Sequence, residues 1–246
     1  MEYKGYVIIM NQTLNNLLEN KRVAIVGPSP HLIGSGMGSL IDSYDLIVRV
    51  NYFQTPDDVK SDYGSRTDIM FHNFATPWLP ALKELIELHS NDFDKIKMLA
   101  CPVIKSDHSE SNFLSWPDDY VSNVVTNCEE INKNEVLSYW IGVPEYRRIF
   151  REVGCEPYSG SLALSILLSS SISELFITGY TFYKGANSPS DLYFDGYKTK
   201  DHKNKMPGHG GDATERSFNY FLKMYKENVS RIRVDSVLEK IIEDSV

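Results

Sequence analysis

The feature that most limits the fold of this chain is a pair of strand-like apolar runs joined by a glycine-rich loop. The first run, Val23–Val26, leads into a loop with glycines at positions 27, 34, 36 and 38, and the second run, Leu46–Val50, ends at Asn51. Continuous apolar runs of this length are typical of parallel strands covered on both faces. The stretch therefore predicts a strand–loop–helix–strand unit whose loop lies at the carboxyl edge of a sheet.

Strand-like and helix-like segments alternate along the rest of the chain. The predicted strands are Ile69–Phe71, Ile96–Cys101, Leu175–Thr178 and Ser230–Val234, and the predicted helices are Trp78–His89, Val143–Val153, Ser161–Leu168, Ala213–Asn228 (with Asp212 as its cap) and Val237–Ile242. This alternation predicts a single α/β domain over residues 1–246, with a Rossmann-like, mostly parallel central sheet flanked by helices. Residues 184–211 lack any period and are rich in Gly, Lys, Asn and Asp, which indicates a functional loop.

Charge and composition exclude several classes of protein. The 246 residues carry a net charge of −8, which argues against a general nucleic-acid binder, and 42% of them are hydrophobic, enough for a real core. Three widely spaced cysteines without a CxxC pair favour a reducing compartment over a zinc site or a disulfide framework. No apolar stretch is long enough to span a membrane, so we expect a cytoplasmic protein.

The glycine spacing does not match the common nucleotide-binding loops. Position 39 is serine, so Gly34, Gly36 and Gly38 do not complete a G-x-G-x-x-G fingerprint, and no G-K-[ST] follows. A loop between a strand and a helix nevertheless offers backbone N–H donors, which can hold a single phosphate. We therefore expect donors for a ligand within the loop from Ser29 to Gly38.

Four short motifs follow one another from the first strand to the third. They are V-G-x-S at 26–29, I-D-x-x-D at 41–45, V-R-x-N at 48–51 and D-x-G-x-R-T at 62–67. This order resembles the large sialylmotif of glycosyltransferase family 29, the eukaryotic-type sialyltransferases. The resemblance covers about residues 21–80.

A second resemblance lies near the carboxyl end, over about residues 150–220. Pro157–Gly160 opens a helical segment, and the strand after it ends in Gly179 and Tyr180, which looks like the small sialylmotif. In the family a final His precedes a Glu by five positions, whereas here His209 precedes Glu215 by six. Residues 81–149 carry no signature of the family.

The resemblance implies a single GT-A-like domain that moves a 2-keto sugar acid from its CMP donor to a glycan hydroxyl. CMP carries one phosphate, so the donor site needs neither a P-loop nor an obligatory metal, and no cofactor is expected. His209 is predicted to be the general base of an inverting single displacement, because a histidine titrates near neutral pH. The predicted donor-binding residues are Gly27, Ser29, Asn51, Ser159, Gly160 and Tyr180, and further candidates are His31, His72 and Glu215.

Several residues keep more than one interpretation at this stage. Glu215 orients His209, caps the helix or belongs to a solvated helix face. Tyr180 and Tyr183 either line the donor pocket or are packing aromatics. Asp42 and Asp45 look like catalytic carboxylates, yet their place before a strand favours structural hydrogen bonding.

The chain departs from the family pattern at two points. Pro28 stands where the family usually has an asparagine, and no cysteine precedes Val23 to form the disulfide that usually links the two motifs, which leaves Cys155 without an obvious partner. Both departures fit a cytosolic microbial or viral enzyme better than a Golgi one, with polysaccharide biosynthesis as the expected process. They leave sialic acid and Kdo open as donor sugars.

Two other classes of protein remain as alternatives. A Rossmann oxidoreductase is disfavoured because Asn51, not an acidic residue, ends the second strand. A non-catalytic nucleotide-binding module would keep the loop but would not need His209.

Overall fold

The structure is a computed structural model that describes residues 13–74, 76, 79–101, 118–132, 136–184, 193–194 and 210–245. Its centre is one sheet of seven parallel strands in the order β5-β4-β3-β2-β1-β6-β7. The strands are β1 (Arg22–Val26), β2 (Leu46–Val50), β3 (Ile69–Phe71), β4 (Met98–Cys101), β5 (Leu137–Trp140), β6 (Glu174–Thr178) and β7 (Ile232–Val234). The prediction of an α/β domain with a mostly parallel sheet is confirmed.

Helices connect the strands, as parallel strands require. They are α1 (Gly38–Asp42), α2 (Lys60–Tyr63), α3 (Leu79–Leu88), α4 (Ser90–Phe93), α5 (Asp118–Ile131), α6 (Val143–Val153), α7 (Ser159–Leu168), α8 (Gly210–Asn228) and α9 (Ser236–Glu243). Residues 13–18 are also helical. Short 3-10 turns occupy Pro30–Leu32, Asp57–Val59 and Val229–Arg231.

The strand order reverses direction between β1 and β6. From β1 the chain adds β2, β3, β4 and β5 in turn to one side of the sheet, and it then returns to place β6 and β7 on the other side. In open α/β sheets such a reversal opens a crevice at the carboxyl ends of the two central strands, and ligands bind there. The carboxyl ends of β1 and β6 are therefore the expected position of a site.

The apolar runs form strands because both faces of the sheet are covered. Ile25 and Ile177, neighbours across β1 and β6, are 0% exposed and pack into one cluster with Leu164 of α7. Burial of each such side chain is worth roughly 1.5–3 kcal/mol. Ala24 and Phe176 point to the opposite face and pack into a second cluster.

Most predicted elements appear within two or three residues of their expected bounds, and four elements differ from the prediction. Helix α8 begins at Gly210, so Asp212 lies inside its first turn and not at the N-cap position predicted for it. The run before β7 starts as a 3-10 turn, and the strand itself begins only at Ile232. Helix α5 and strand β5 were not predicted, because α5 is polar and β5 is a four-residue edge strand with one exposed end.

Candidate active site

The backbones that follow β1 and β6 touch at the carboxyl edge of the sheet. A Cβ built on Gly27 would lie 2.3 Å from the carbonyl oxygen of Gly179, and a Cβ on Gly179 would lie equally close to that of Gly27. The N–H of Gly27 donates to the carbonyl of Thr178 at 2.7 Å, and the N–H of Ser29 donates to Gly179 at 3.1 Å. Only glycine fits at either position, because a side chain would separate the two loops.

The ring of Tyr180 connects this contact to the start of α7. A Cβ on Gly27 would lie 2.7 Å from Cδ2 of Tyr180, and a Cβ on Gly160 would lie 3.3 Å from its Cε1. Tyr180 therefore packs against both glycines. Burial raises the pKa of Tyr180, so its hydroxyl stays protonated at neutral pH.

Helix α7 points its amino terminus toward the same edge. It ends where the chain turns into β6, whose direction it opposes, so Ser159 and Gly160 lie at the carboxyl side of the sheet. The N-cap residue is Tyr158, and its side chain makes no capping hydrogen bond. The first N–H groups of an α-helix have no acceptor within the helix, so those of Ser159 and Gly160 are suited to an anion.

Asn51 follows β2, the strand beside β1. Its backbone takes the left-handed conformation, with φ of 62°, and its N–H donates to the carbonyl of Phe71 at 2.6 Å. Its Oδ1 atom is buried and accepts no hydrogen bond among the described residues. A buried acceptor without a donor is costly, so this oxygen is suited to a ligand donor.

The glycine-rich loop binds a carboxylate of the protein itself. The N–H groups of Gly34 and Gly36 donate to Oδ2 and Oδ1 of Asp62, both at 2.8 Å. Both glycines have positive φ and open space where a Cβ would be, so they shape the loop rather than approach another group. Asp62 therefore occupies two of the N–H groups in the loop from Ser29 to Gly38, where donors for a ligand were expected.

The two acidic residues of the I-D-x-x-D motif form structural hydrogen bonds, as expected. Asp42 accepts from the N–H groups of Ser65 and Arg66, at distances of 2.9 to 3.3 Å, and Asp45 accepts from the N–H of Arg22 at 2.8 Å. These bonds attach the start of β2 to the segment before β3 and to the start of β1.

Two arginines of the motifs, Arg49 and Arg66, also form hydrogen bonds with the segment before β3 or with the end of α1. Arg49 is 1% exposed and donates to Oγ1 of Thr67 at 3.0 Å and to the carbonyl of Tyr63 at 2.7 Å. Arg66 donates to the carbonyl of Asp42 at 2.9 Å. The motif residues around Asn51 therefore build the support of the site rather than its lining.

Ser29 and His31 lie in the loop after β1, beside the close contact of the glycines. Nδ1 of His31 lies 2.9 Å from Oγ of Ser29, and its Nε2 lies 3.1 Å from Oδ2 of Asp235, the residue after β7. Oδ2 of Asp235 also accepts from Oγ1 of Thr178 at 2.9 Å and from the N–H of Gly179 at 2.8 Å. Asp235 was missed at the sequence level, because no motif surrounds it.

His72 follows β3 and forms a hydrogen bond within its own loop. It is 4% exposed, and its Nδ1 accepts from the N–H of Phe74 at 2.8 Å. Two strand spacings, about 10 Å, separate the end of β3 from that of β1. His72 therefore lies at the predicted edge but away from the contact between Gly27 and Gly179.

The predicted base, His209, lies outside the described residues, as do most of residues 184–211. Glu215, on the second turn of α8, forms an exposed ion pair with Lys184, whose ammonium lies 4.7 Å from the ring centroid of Phe218. This pair joins α8 to the loop after β6.

A group of tyrosines lies between the starts of α7 and α8. The rings of Tyr158 and Tyr183 meet edge to face with centroids 5.7 Å apart, and the hydroxyl of Tyr158 lies 3.3 Å from Oγ1 of Thr214. Burial raises the pKa of Tyr183, with the neighbouring Tyr193 acting in the same direction. Tyr183 is half-buried, which leaves both of its interpretations open.

No metal-binding group of three or more His, Cys, Asp or Glu side chains occurs among the described residues. In the same part of the chain, every helix is too short or too polar to cross a membrane.

Comparison with known proteins connects these features to one family. The model of glycosyltransferase family 29 (sialyltransferase) matches residues 9–109, which include the loop after β1, Asn51 and Asp62. No curated protein matches the sequence.

Two solved structures share the fold at low sequence identity. One is a mammalian sialyltransferase in complex with Gal-beta-1-3GalNAc-ortho-nitrophenol, with a TM-score of 0.51 and 16% identity over 90% of this chain and 71% of that chain. The other is the sialyltransferase CstII from Campylobacter jejuni in complex with a substrate analogue, cytidine-5'-monophosphate, with a TM-score of 0.51 and 18% identity over 89% and 87% of the two chains. The predicted resemblance and the predicted GT-A-like fold are confirmed.

Proposed function

Because the model of glycosyltransferase family 29 matches residues 9–109 and the fold is that of solved sialyltransferases, we propose that this chain transfers a 2-keto sugar acid from a CMP-activated donor to a hydroxyl of a glycan. The observation that carries the proposal is the contact of Tyr180 with both Gly27 and Gly160, at the crevice between β1 and β6. This contact brings the loop of the first motif to the helix start of the second. A donor with one phosphate and one carboxylate would find backbone N–H groups there.

The start of α7 supplies the anion site of the proposed donor pocket. The N–H groups of Ser159 and Gly160 would hold the phosphate of CMP or the carboxylate of the sugar, assisted by the positive end of the helix dipole. Gly160 carries no Cβ, so the ring of Tyr180 can pack closely against the start of the helix. As CMP departs, charge grows on its phosphate, and donors already in place stabilise it without rearrangement.

Asn51 would bind the nucleoside. Its buried Oδ1 can accept a hydrogen bond from a ribose hydroxyl or from the amino group of cytosine. The left-handed backbone at Asn51 fixes where this oxygen lies.

His209 would act as the general base of an inverting displacement. The acceptor hydroxyl loses its proton as it attacks the anomeric carbon opposite the departing CMP, and an imidazole accepts a proton readily near neutral pH. The ion pair of Glu215 with Lys184 would fix the amino-terminal part of α8, the helix that follows His209 directly. We propose that no metal is obligatory, because helix N–H groups can neutralise the single phosphate.

The donor sugar is either sialic acid or Kdo, since both carry a carboxylate and are activated as CMP derivatives. The glycan acceptor, which we propose belongs to a microbial surface polysaccharide, would approach from the side of residues 184–211. The family match favours this transferase over the oxidoreductase and over a non-catalytic module.

Thermal unfolding with CMP, CMP-sialic acid, CMP-Kdo, UDP and NADH, each without added metal, tests the proposal. A ligand at 100 times its dissociation constant adds about 2.7 kcal/mol to the free energy of unfolding, so stabilisation by the CMP compounds alone is expected. The better CMP-sugar then serves in a transfer assay, where His209→Ala should bind the donor normally and lose turnover. Stabilisation by NADH or UDP without any by CMP would overturn the proposal.

A further inference from the structure

Three side chains form a hydrogen-bonded chain from the loop after β1 to the start of α9. Ser29 contacts His31 at 2.9 Å, and His31 contacts Asp235 at 3.1 Å. The side chains of His31 and Asp235 are 17% and 3% exposed, and Ser29 is 4% exposed. The hydrogen bonds of the three groups are therefore largely shielded from solvent.

Asp235 is the fixed end of this chain. Its Oδ1 accepts from the N–H groups of Val237 and Leu238, which caps α9, and its Oδ2 accepts from Thr178 and Gly179 as well as His31. Burial alone would raise the pKa of Asp235, but the hydrogen bonds from His31, Leu238 and Gly179 outweigh it and hold the pKa below its usual value. The group is thus an ionised carboxylate, which only accepts hydrogen bonds.

The fixed carboxylate determines how His31 is oriented. Nε2 of His31 must carry a hydrogen, because its partner Oδ2 of Asp235 has none to offer. The ring cannot flip without losing this bond, so Nδ1 stays directed at Ser29. Nδ1 of His31 therefore occupies one hydrogen-bonding position of the Ser29 hydroxyl, and this contact fixes the directions in which the hydroxyl can form its other hydrogen bonds.

Ser29 lies where the proposed phosphate site begins. Its own N–H donates to the carbonyl of Gly179 at 3.1 Å, and the hydroxyl of Tyr63 donates to its carbonyl at 2.7 Å. Gly27, two residues earlier, contacts the ring of Tyr180 that also packs on Gly160 at the start of α7. The backbone of Ser29 is held from both sides, and His31 alone among these contacts acts on its hydroxyl.

We propose that His31 and Asp235 are positioning residues that orient the Ser29 hydroxyl toward the phosphate of the CMP donor. The inference rests on the proposed function, because the phosphate is that of CMP. His31 and Asp235 touch no substrate themselves. Their effect reaches the ligand through Ser29, so removal of either the hydroxyl or the imidazole should cost the same affinity.

A double-mutant cycle with two ligands tests this. Titration calorimetry measures the affinities of CMP and of cytidine, which lacks the phosphate, for the wild type, Ser29→Ala, His31→Gln and the double variant. Each single variant should bind CMP about 10-fold more weakly, which corresponds to about 1.4 kcal/mol. The double variant should be no weaker than either single one, and cytidine affinity should not change. Glutamine at position 31 can still reach Asp235 but places no nitrogen beside Ser29.

The matched control is Thr178→Val, which removes a different hydrogen bond to the same oxygen of Asp235. It should leave CMP affinity within about twofold of the wild type. If His31→Gln does not fold, Asp235→Asn replaces it in the cycle with the same expected values, since it keeps the shape of the side chain.

The outcomes separate this inference from the proposed function. A folded wild type that does not bind CMP overturns the proposed function. If the wild type binds CMP, three results overturn the positioning role alone. They are an unchanged CMP affinity in His31→Gln, a loss of cytidine affinity equal to the loss of CMP affinity, and additive losses of CMP affinity near 100-fold in the double variant.

Discussion

Gly27 and Gly179 approach so closely that a Cβ on either one would lie 2.3 Å from the carbonyl oxygen of the other. The two residues are 152 positions apart in the chain, and they directly follow β1 and β6, the neighbouring strands between which the strand order reverses. Their contact holds together the halves of the molecule that carry the two family-like motifs. The crevice proposed to bind the donor opens at this point.

Replacement of Gly27 by alanine should damage stability and CMP binding together. The new methyl group would meet the carbonyl of Gly179 and the ring of Tyr180, and overpacking of this kind costs about 1–3 kcal/mol. Chemical denaturation measures the loss of stability, and calorimetry measures the loss of CMP affinity. The control is Gly36→Ala, where φ is +67° but space is open, so it should lose about 1 kcal/mol of stability through backbone strain and keep its CMP affinity. Equal CMP losses in both variants would contradict the prediction.

Asn51→Gly should weaken CMP binding without a comparable loss of stability. Glycine adopts the left-handed backbone of this position readily, and the deleted Oδ1 accepts no hydrogen bond among the described residues. CMP affinity should fall about 10-fold, the effect of one good hydrogen bond, while the free energy of unfolding changes by less than about 1 kcal/mol. Asn20→Gly, at a residue with φ of 57° before β1, should leave CMP binding as it is. A CMP affinity unchanged by Asn51→Gly would show that Asn51 does not touch the nucleotide.

Asp62→Asn should loosen the glycine-rich loop. The amide keeps one acceptor oxygen but sets an N–H group against one of the two loop amides, so a loss of about 1–3 kcal/mol in the free energy of unfolding is expected. Hydrogen exchange at Gly34 and Gly36 should become faster than in the wild type. The matched change Asp57→Asn, in an exposed pair with Lys60, should leave the free energy of unfolding nearly unchanged, because solvent screens the pair. Unaltered exchange at both glycines would mean that Asp62 does not hold the loop.

Glu145 should make the protein less stable as the pH rises above the acidic range. Burial raises the pKa of this carboxyl, and the hydrogen bond from Tyr139 and the charge of Arg148 offset that effect only in part. In the unfolded state the pKa of a glutamate is about 4.3. A carboxyl with a higher pKa in the folded state stabilises the fold fully at pH values below the unfolded pKa, and this contribution is lost as the pH rises through the folded pKa. Denaturation of the wild type and of Glu145→Gln between pH 4 and 7 should therefore show a flatter profile for the variant. Parallel profiles would contradict the raised pKa.

Most strands and helices could be predicted from local patterns, because most strands show their two-sided burial as a largely apolar run. Val143–Val153 was predicted with its observed bounds, and Leu46–Val50 likewise. Helix α5 gave a weak signal, since its exposed positions among the described side chains are filled by Asn, Thr and Glu. The family resemblance was also readable, because its motifs are short and close together in the chain.

The roles of the individual motif residues could not be predicted from the sequence. Asp62 has the appearance of a ligand-binding carboxylate, yet its partners are Gly34 and Gly36 of the same protein. Arg49 has the appearance of a phosphate ligand, and it is buried against the carbonyl of Tyr63. A motif preserves which residue types occur together, but not whether their partner is a ligand or the backbone.

Amino-acid order thus specified a parallel α/β sheet with a glycine-rich loop at its carboxyl edge, since strand burial and turn chemistry depend on neighbours in the chain. Which residues meet across that edge was decided by the order of the strands in the sheet. The placement of β6 next to β1 joins Gly27 to Gly179, and the placement of β7 next to β6 brings Asp235 to His31 over a separation of 204 residues. Such contacts have no local signature, because they form only after distant segments pack into one sheet.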